Sequence, residues 1–185
     1  MNIKRKMQII GKLQIGSLPK AILALVVLEI IPAIDLELFE HNASANEIIN
    51  ILSPMGLSIV RVRMPEERKD SKVIAILCIS PNPNNTSLLE NLVWGCIRTE
   101  TANPIFDIAY GALMGYPLSA IEGYITNQKL PKSDYPHGLD DEVLVTFMLS
   151  KERWQEEASV IMRWRDALAK HAPHILEELD SMLVR

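Results

Sequence analysis

Arg165 stands where a charge is costly. From Lys151 to Lys170 a helical turn of about 100° per residue puts Trp154, Ala158, Ile161 and Leu168 on one stripe with Trp164 beside it, and Arg165 falls in the middle. A guanidinium keeps its proton in any protein, so it must meet an acid, reach back to water or hold an anionic ligand. Two acids are placed to meet it: Asp107, in the otherwise apolar segment 104–114, and Glu122, beside the arc of Leu118, Ile121 and Ile125. The first reading is a structural ion pair. The second is a pocket in which Arg165, Glu122, Tyr116 and Asp107 receive a small polar or anionic ligand.

A second group of chemically able residues lies between Ser133 and Glu142. His137, Asp140 and Asp141 fall within one turn-rich stretch with Asp134, Tyr135 and Glu142, and a hard cation takes such oxygen ligands. The spacing is neither that of an EF-hand nor of HExxH, and adjacent acids before a strand also make an ordinary solvated loop. A hydrolase or transferase would draw on His137 to Glu142 together with acids from the region of Tyr116, provided that these groups converge on one cleft. The other histidines offer less: Pro173 separates His171 from His174, and His41 is isolated. No GxSxG, GxGxxG or Walker pattern occurs, so no nucleophile elbow, dinucleotide site or P-loop is implied, and no cofactor is expected. Arg61, Arg63, Arg68 and Lys69 form a basic strip, read either as a phosphate or acidic-protein contact or as a charged strand edge that resists aggregation.

These residues need elements to hold them. Met7 to Ile15 reads as a short strand pair turning at Gly11, or as an extended arm. Ser17 and Pro19 open an apolar helix to about Ile31, before Pro32, and a helix so apolar is either central or part of a subunit interface. Ser44 and Glu47 have the capping-box spacing of a short helix ending near Pro54. Leu57 to Met64 alternates Val60, Val62 and Met64 with Arg61 and Arg63, the pattern of an edge strand. A solvated hairpin loop over Met64 to Lys72 leads to Val73 to Ile79, apolar throughout and so expected at the centre of a sheet. Helices are predicted from Ser87 to Arg98, from Asn103 to Gly115 and from Pro117 onward. Val143 to Leu149 reads as the last strand, Ser150 as the cap of a helix to about Lys170, and Pro173 as the break before a terminal helix. The expected fold is α+β: one domain, residues 1–185, with several helices on a small, mostly antiparallel sheet of about three to four strands.

Residues 105–125 read IFDIAYGALMGYPLSAIEGYI, and GALMGYPLSAIEGY within them resembles a segment of uncharacterised bacterial proteins, in which a small-residue helix ends in Gly-Tyr-Pro and a second helix follows. The resemblance implies no activity. Where some of those proteins have Cys or Thr after Tyr-Pro this chain has Leu118, Ser119 and Ala120, so a thiol chemistry is not carried over. As a structure the segment predicts a tight helical corner, with Gly115 as a left-handed cap and Pro117 opening the next helix. Gly111, Ala112 and Ala120 would permit close backbone approach there.

Bulk properties bound the rest. At 185 residues, 48% hydrophobic and 23% charged, the chain can bury a core of its own. The formal charge is −4, with 10 Lys and Arg against 9 acids in residues 1–92 and 9 against 14 in residues 93–185, a balance that argues against nucleic acid as a partner. Cys78 and Cys96 sit in apolar surroundings without CxxC spacing, which suits buried thiols in a reducing, cytoplasmic compartment. Lys4, Arg5 and Lys6 before the apolar run Ala21 to Ile34 imitate an export signal, but Glu29 and Pro32 interrupt a run already too short to cross a bilayer. No membrane association is expected. The functional expectation is a non-enzymatic interaction or small-ligand-binding module, assembled as a homo-oligomer because the helix at 19–31 and the strand at 73–79 offer ample apolar surface.

Overall fold

The structure, a computed structural model, describes residues 1–63, 72–98, 103–139 and 142–182. The protein is α+β. Among the described residues its sheet has three strands, β1 (Ile34–Phe39), β2 (Ser58–Arg63) and β3 (Val73–Ser80), in the order β1-β3-β2 with both pairings antiparallel. β3 lies in the middle, Leu77 standing opposite Leu36 on one side and Arg61 on the other. The patterning explains the order, since a continuously apolar strand tolerates cover on both faces and a strand with alternating arginines suits an edge.

Helices cover both faces of this sheet. Among the described residues they are α1 (Ile3–Gly11), α2 (Ser17–Val27), α3 (Ala45–Leu52), α4 (Pro83–Arg98), α5 (Pro104–Leu113), α6 (Leu118–Ile125), α7 (Trp154–His171) and α8 (Pro173–Asp180). One face, with Leu36, Leu38, Leu77 and Ile79, joins the larger core built on α1, α2, α3, α7 and α8. The other face, with Val62, Ile76 and Cys78, packs against Leu89 and Leu92 of α4 and Leu113 of α5. α2 is the central helix: every residue from Lys20 to Val27 is buried, and the Lys20 ammonium is paired with Glu178 of α8 at 2.9 Å. The apolar surface of α2 from Ala21 to Val27 and of β3 from Ala75 to Ile79 is thus covered within one chain, and Ile74 of β3 is exposed.

Several local expectations are corrected. The first residues form a helix, not a strand pair: the Asn2 side chain accepts from the Arg5 N–H at 2.9 Å, and Met7 and Ile10 bury one helical face. α2 stops at Val27 and not at Ile31, because the chain turns through Glu29 in a left-handed conformation (φ 59°) before Pro32. β1 is an additional strand, although Ile34, Leu36 and Leu38 alternate there with Asp35 and Glu37. α4 begins at Pro83, one turn before Ser87, where the Asn82 side chain accepts from the Asn84 N–H at 3.0 Å.

Val143 to Leu149 is irregular chain, its Leu149 carbonyl accepting from the Leu130 N–H at 2.7 Å beside an isolated bridge of Lys129 with Ser150. Its buried positions, Leu144, Phe147 and Leu149, lack a strand's period, and its N–H groups find local or side-chain acceptors and no ladder: Leu144 the Glu142 carboxylate, Val145 the Glu142 carbonyl, Thr146 the Leu144 carbonyl, Leu149 the Tyr135 hydroxyl. Ser150 is not the cap of α7, which begins at Trp154 after Arg153; it accepts from the Arg153 N–H in the turn before the helix and gives its own N–H and hydroxyl to the fully buried Glu157. The expected loop Met64 to Lys72, with Arg68 and Lys69, lies outside the described residues except for Lys72.

Candidate functional site

The Gly-Tyr-Pro corner forms as its residues require. Gly115 takes a left-handed conformation (φ 74°), and the Tyr116 N–H donates to the Gly111 carbonyl at 2.9 Å, closing the end of α5. α6 begins straight after Pro117 and returns against α5, so closely that a Cβ on Gly111 would lie 2.8 Å from the Ile121 side chain. Tyr116 leaves the helix at this corner, with its ring 5.3 Å from that of Phe147.

Beside the corner is a cleft of about 420 Å³, within the size range of small-molecule sites. α5 and α6 give it Phe106, Asp107, Tyr110 and Tyr124; the end of α4 gives Cys96; the irregular chain gives Thr146 and Phe147. Lys132 adds a cation from the 3-10 turn Lys132–Asp134. Burial pushes the Tyr116 pKa up, opposed in part by the Thr146 side chain.

Behind the Tyr110 wall lies a half-buried acid. The Tyr110 hydroxyl donates to Asp35 Oδ2 of β1 at 2.9 Å. Loss of water raises the Asp35 pKa from 3.8 to about 6, opposed in part by the Tyr110 hydrogen bond, and it drives the Tyr110 phenol far above its usual range, with the Asp35 charge adding to the effect. Cys78, opposite Asp35 on β3, is pushed up to about 12 by burial and by the charges of Asp35 and Glu90. Cys96 is exposed, contrary to the buried thiol expected, and burial of its sulfur together with Asp107 and Asp35 still moves its pKa upward. Both thiols are free, and neither is activated as a nucleophile.

Of the four residues expected to share a pocket, Tyr116 and Asp107 line the cleft, whereas Arg165 and Glu122 do not. Arg165 meets acids, but neither of those named from sequence: its Nη1 donates to Glu142 at 3.2 Å and its Nη2 to Asp180 at 2.6 Å, tying α7 to α8 and to the chain before Leu144. Glu122 is exposed on α6. Arg165→Met is therefore expected to destabilise the fold by roughly 1–3 kcal/mol in urea unfolding, through the lost charged hydrogen bonds, while leaving the cleft intact. Loss of cleft binding in a folded Arg165→Met protein would contradict that assignment.

His137 is exposed, and Asp140 and Asp141 lie outside the described residues. Among the described residues no three His, Cys, Asp or Glu side chains gather as metal ligands. Sequence reasoning passed over Asp35 and Tyr110. The signal for Asp35 was its place in the alternating run Ile34 to Leu38; nothing local pointed from it to Tyr110, 75 residues away. Among the described residues no helix is long and apolar enough to cross a membrane. Compared with protein-family models, curated proteins and solved structures, the chain matches none of them.

Proposed function

We propose that this protein is a non-enzymatic module that binds a small ligand in the cleft between α5, α6 and residues 145–148. The observation that carries the reading is the pairing of that cleft with the half-buried Asp35–Tyr110 contact: a carboxyl kept from water costs stability, and a cost of this kind beside a concave, mostly apolar surface marks a binding place. An enzyme built on His137 to Glu142 has less support, because Glu142 is held by Arg165 and by the Leu144 N–H. Two free thiols suit a reducing, cytoplasmic compartment, and the acidic balance speaks against nucleic acid. Homo-oligomer formation, with α2 and most of β3 already covered, would use the exposed Ile105, Ile108 and Leu118.

A thermal-shift screen over metabolites tests the reading, since a ligand at a hundredfold over its Kd adds about 2.7 kcal/mol to stability. Cys96→Trp fills the cleft from an exposed position. The expected result is a set of stabilising compounds whose effect disappears in Cys96→Trp. An empty screen, or hits that persist in this variant, would refute the assignment.

A further inference from the structure

The cleft has a composition that selects among ligands. The chain holds four Tyr, three Phe and three Trp, and five of these ten, Phe106, Tyr110, Tyr116, Tyr124 and Phe147, line this one cleft. Aromatic faces carry negative quadrupole charge and attract cations, and one ring already does so: the Lys129 ammonium lies 4.9 Å from the Tyr124 centroid. The fixed charges are of both signs: Asp107 lines the cleft and Asp35 stands behind Tyr110, while Lys132, exposed on its turn, also lines the cleft and Lys129 lies over Tyr124.

Resting on the cleft as the ligand site, we propose that it takes a small organic cation, an ammonium group on an apolar body, received by the aromatic walls with Asp107 as its counter-charge. Neutral apolar compounds would gain the walls alone. Carboxylates would gain Lys132 but meet Asp107 and the ring faces.

Three soluble probes of nearly one shape separate these cases: choline, its neutral isostere 3,3-dimethylbutan-1-ol, and the anion 3,3-dimethylbutyrate. Each is titrated into the full chain, followed by NMR of the amide signals around the cleft. Choline is expected to bind roughly tenfold more tightly than the alcohol, the ratio that a cation over aromatic rings supplies. Asp107→Asn should erase much of that ratio and leave the affinity for the alcohol unchanged, whereas a merely structural role for Asp107 would move both alike. Equal binding of cation and alcohol, or tighter binding of the anion, overturns the ligand class while the cleft stands as a site. No binding of any probe overturns the class too, and the screen against Cys96→Trp then decides separately whether the cleft binds anything.

Discussion

Asp35→Asn is expected to raise the melting temperature at pH 8 and to leave it nearly unchanged at pH 4. The folded state holds the Asp35 proton up to about pH 6, whereas the unfolded chain releases it near 3.8. Between those values the native protein binds more protons, so stability falls as pH rises through the window and the loss is complete above it. The gap from 3.8 to about 6 corresponds to roughly 3 kcal/mol. Asparagine keeps an oxygen for the Tyr110 hydroxyl and carries no charge, so the variant should recover most of this, about 5–10 °C in a chain of this size. Other carboxyls titrate over the same range in both proteins, so the difference between variant and parent is the quantity to follow from pH 4 to pH 8. A difference that is flat with pH, or a variant less stable at pH 8, would show that Asp35 is not held from water as described.

Gly115→Ala is expected to cost about 2–5 kcal/mol in urea unfolding, from two causes that add. A left-handed φ of 74° strains any L side chain by roughly 1–2 kcal/mol, and the new Cβ would fall 2.6 Å from Ile31 Cγ2 and 2.9 Å from Ile31 Cβ, an overlap on the order of 1–3 kcal/mol more. Gly56 separates the two, being equally left-handed (φ 81°) with nothing within 4 Å of the added Cβ, so Gly56→Ala should cost only about 1–2 kcal/mol. The corner also sets Tyr116 against Phe147, so Gly115→Ala should weaken cleft binding as well as the fold. Equal costs at the two glycines would mean that the approach to Ile31 relaxes freely.

The two effects have one origin. Asp35 is shielded in part from water because α5 lays Tyr110 over the second face of the sheet, and α5 is held there by the turn at Gly115 and by the Ala33 N–H, which donates to the Leu113 carbonyl at 3.0 Å. The carboxyl that lowers stability at neutral pH and the glycine that fixes the turn thus act through one helix, whose Tyr110 lines the cleft.

Much of this was legible from the chain itself. The α+β class, the edge and central places of β2 and β3, the central α2 and the Gly-Tyr-Pro corner rest on local signals: alternation, a wholly apolar run, a proline after a glycine. Each is decided within a few residues by backbone sterics and side-chain period, so neighbours in sequence suffice. The candidate site was half legible, since Tyr116 and Asp107 lie at that corner. Which acids meet Arg165, which hydroxyl covers Asp35, and why Val143 to Leu149 is no strand were decided only by tertiary structure. Glu142 and Asp180 reach Arg165, and Tyr110 reaches Asp35, across 15 to 75 residues of sequence. Period and propensity carry no information over such separations, because the partner of a buried charge is chosen by the packing of whole helices and not by its own neighbours.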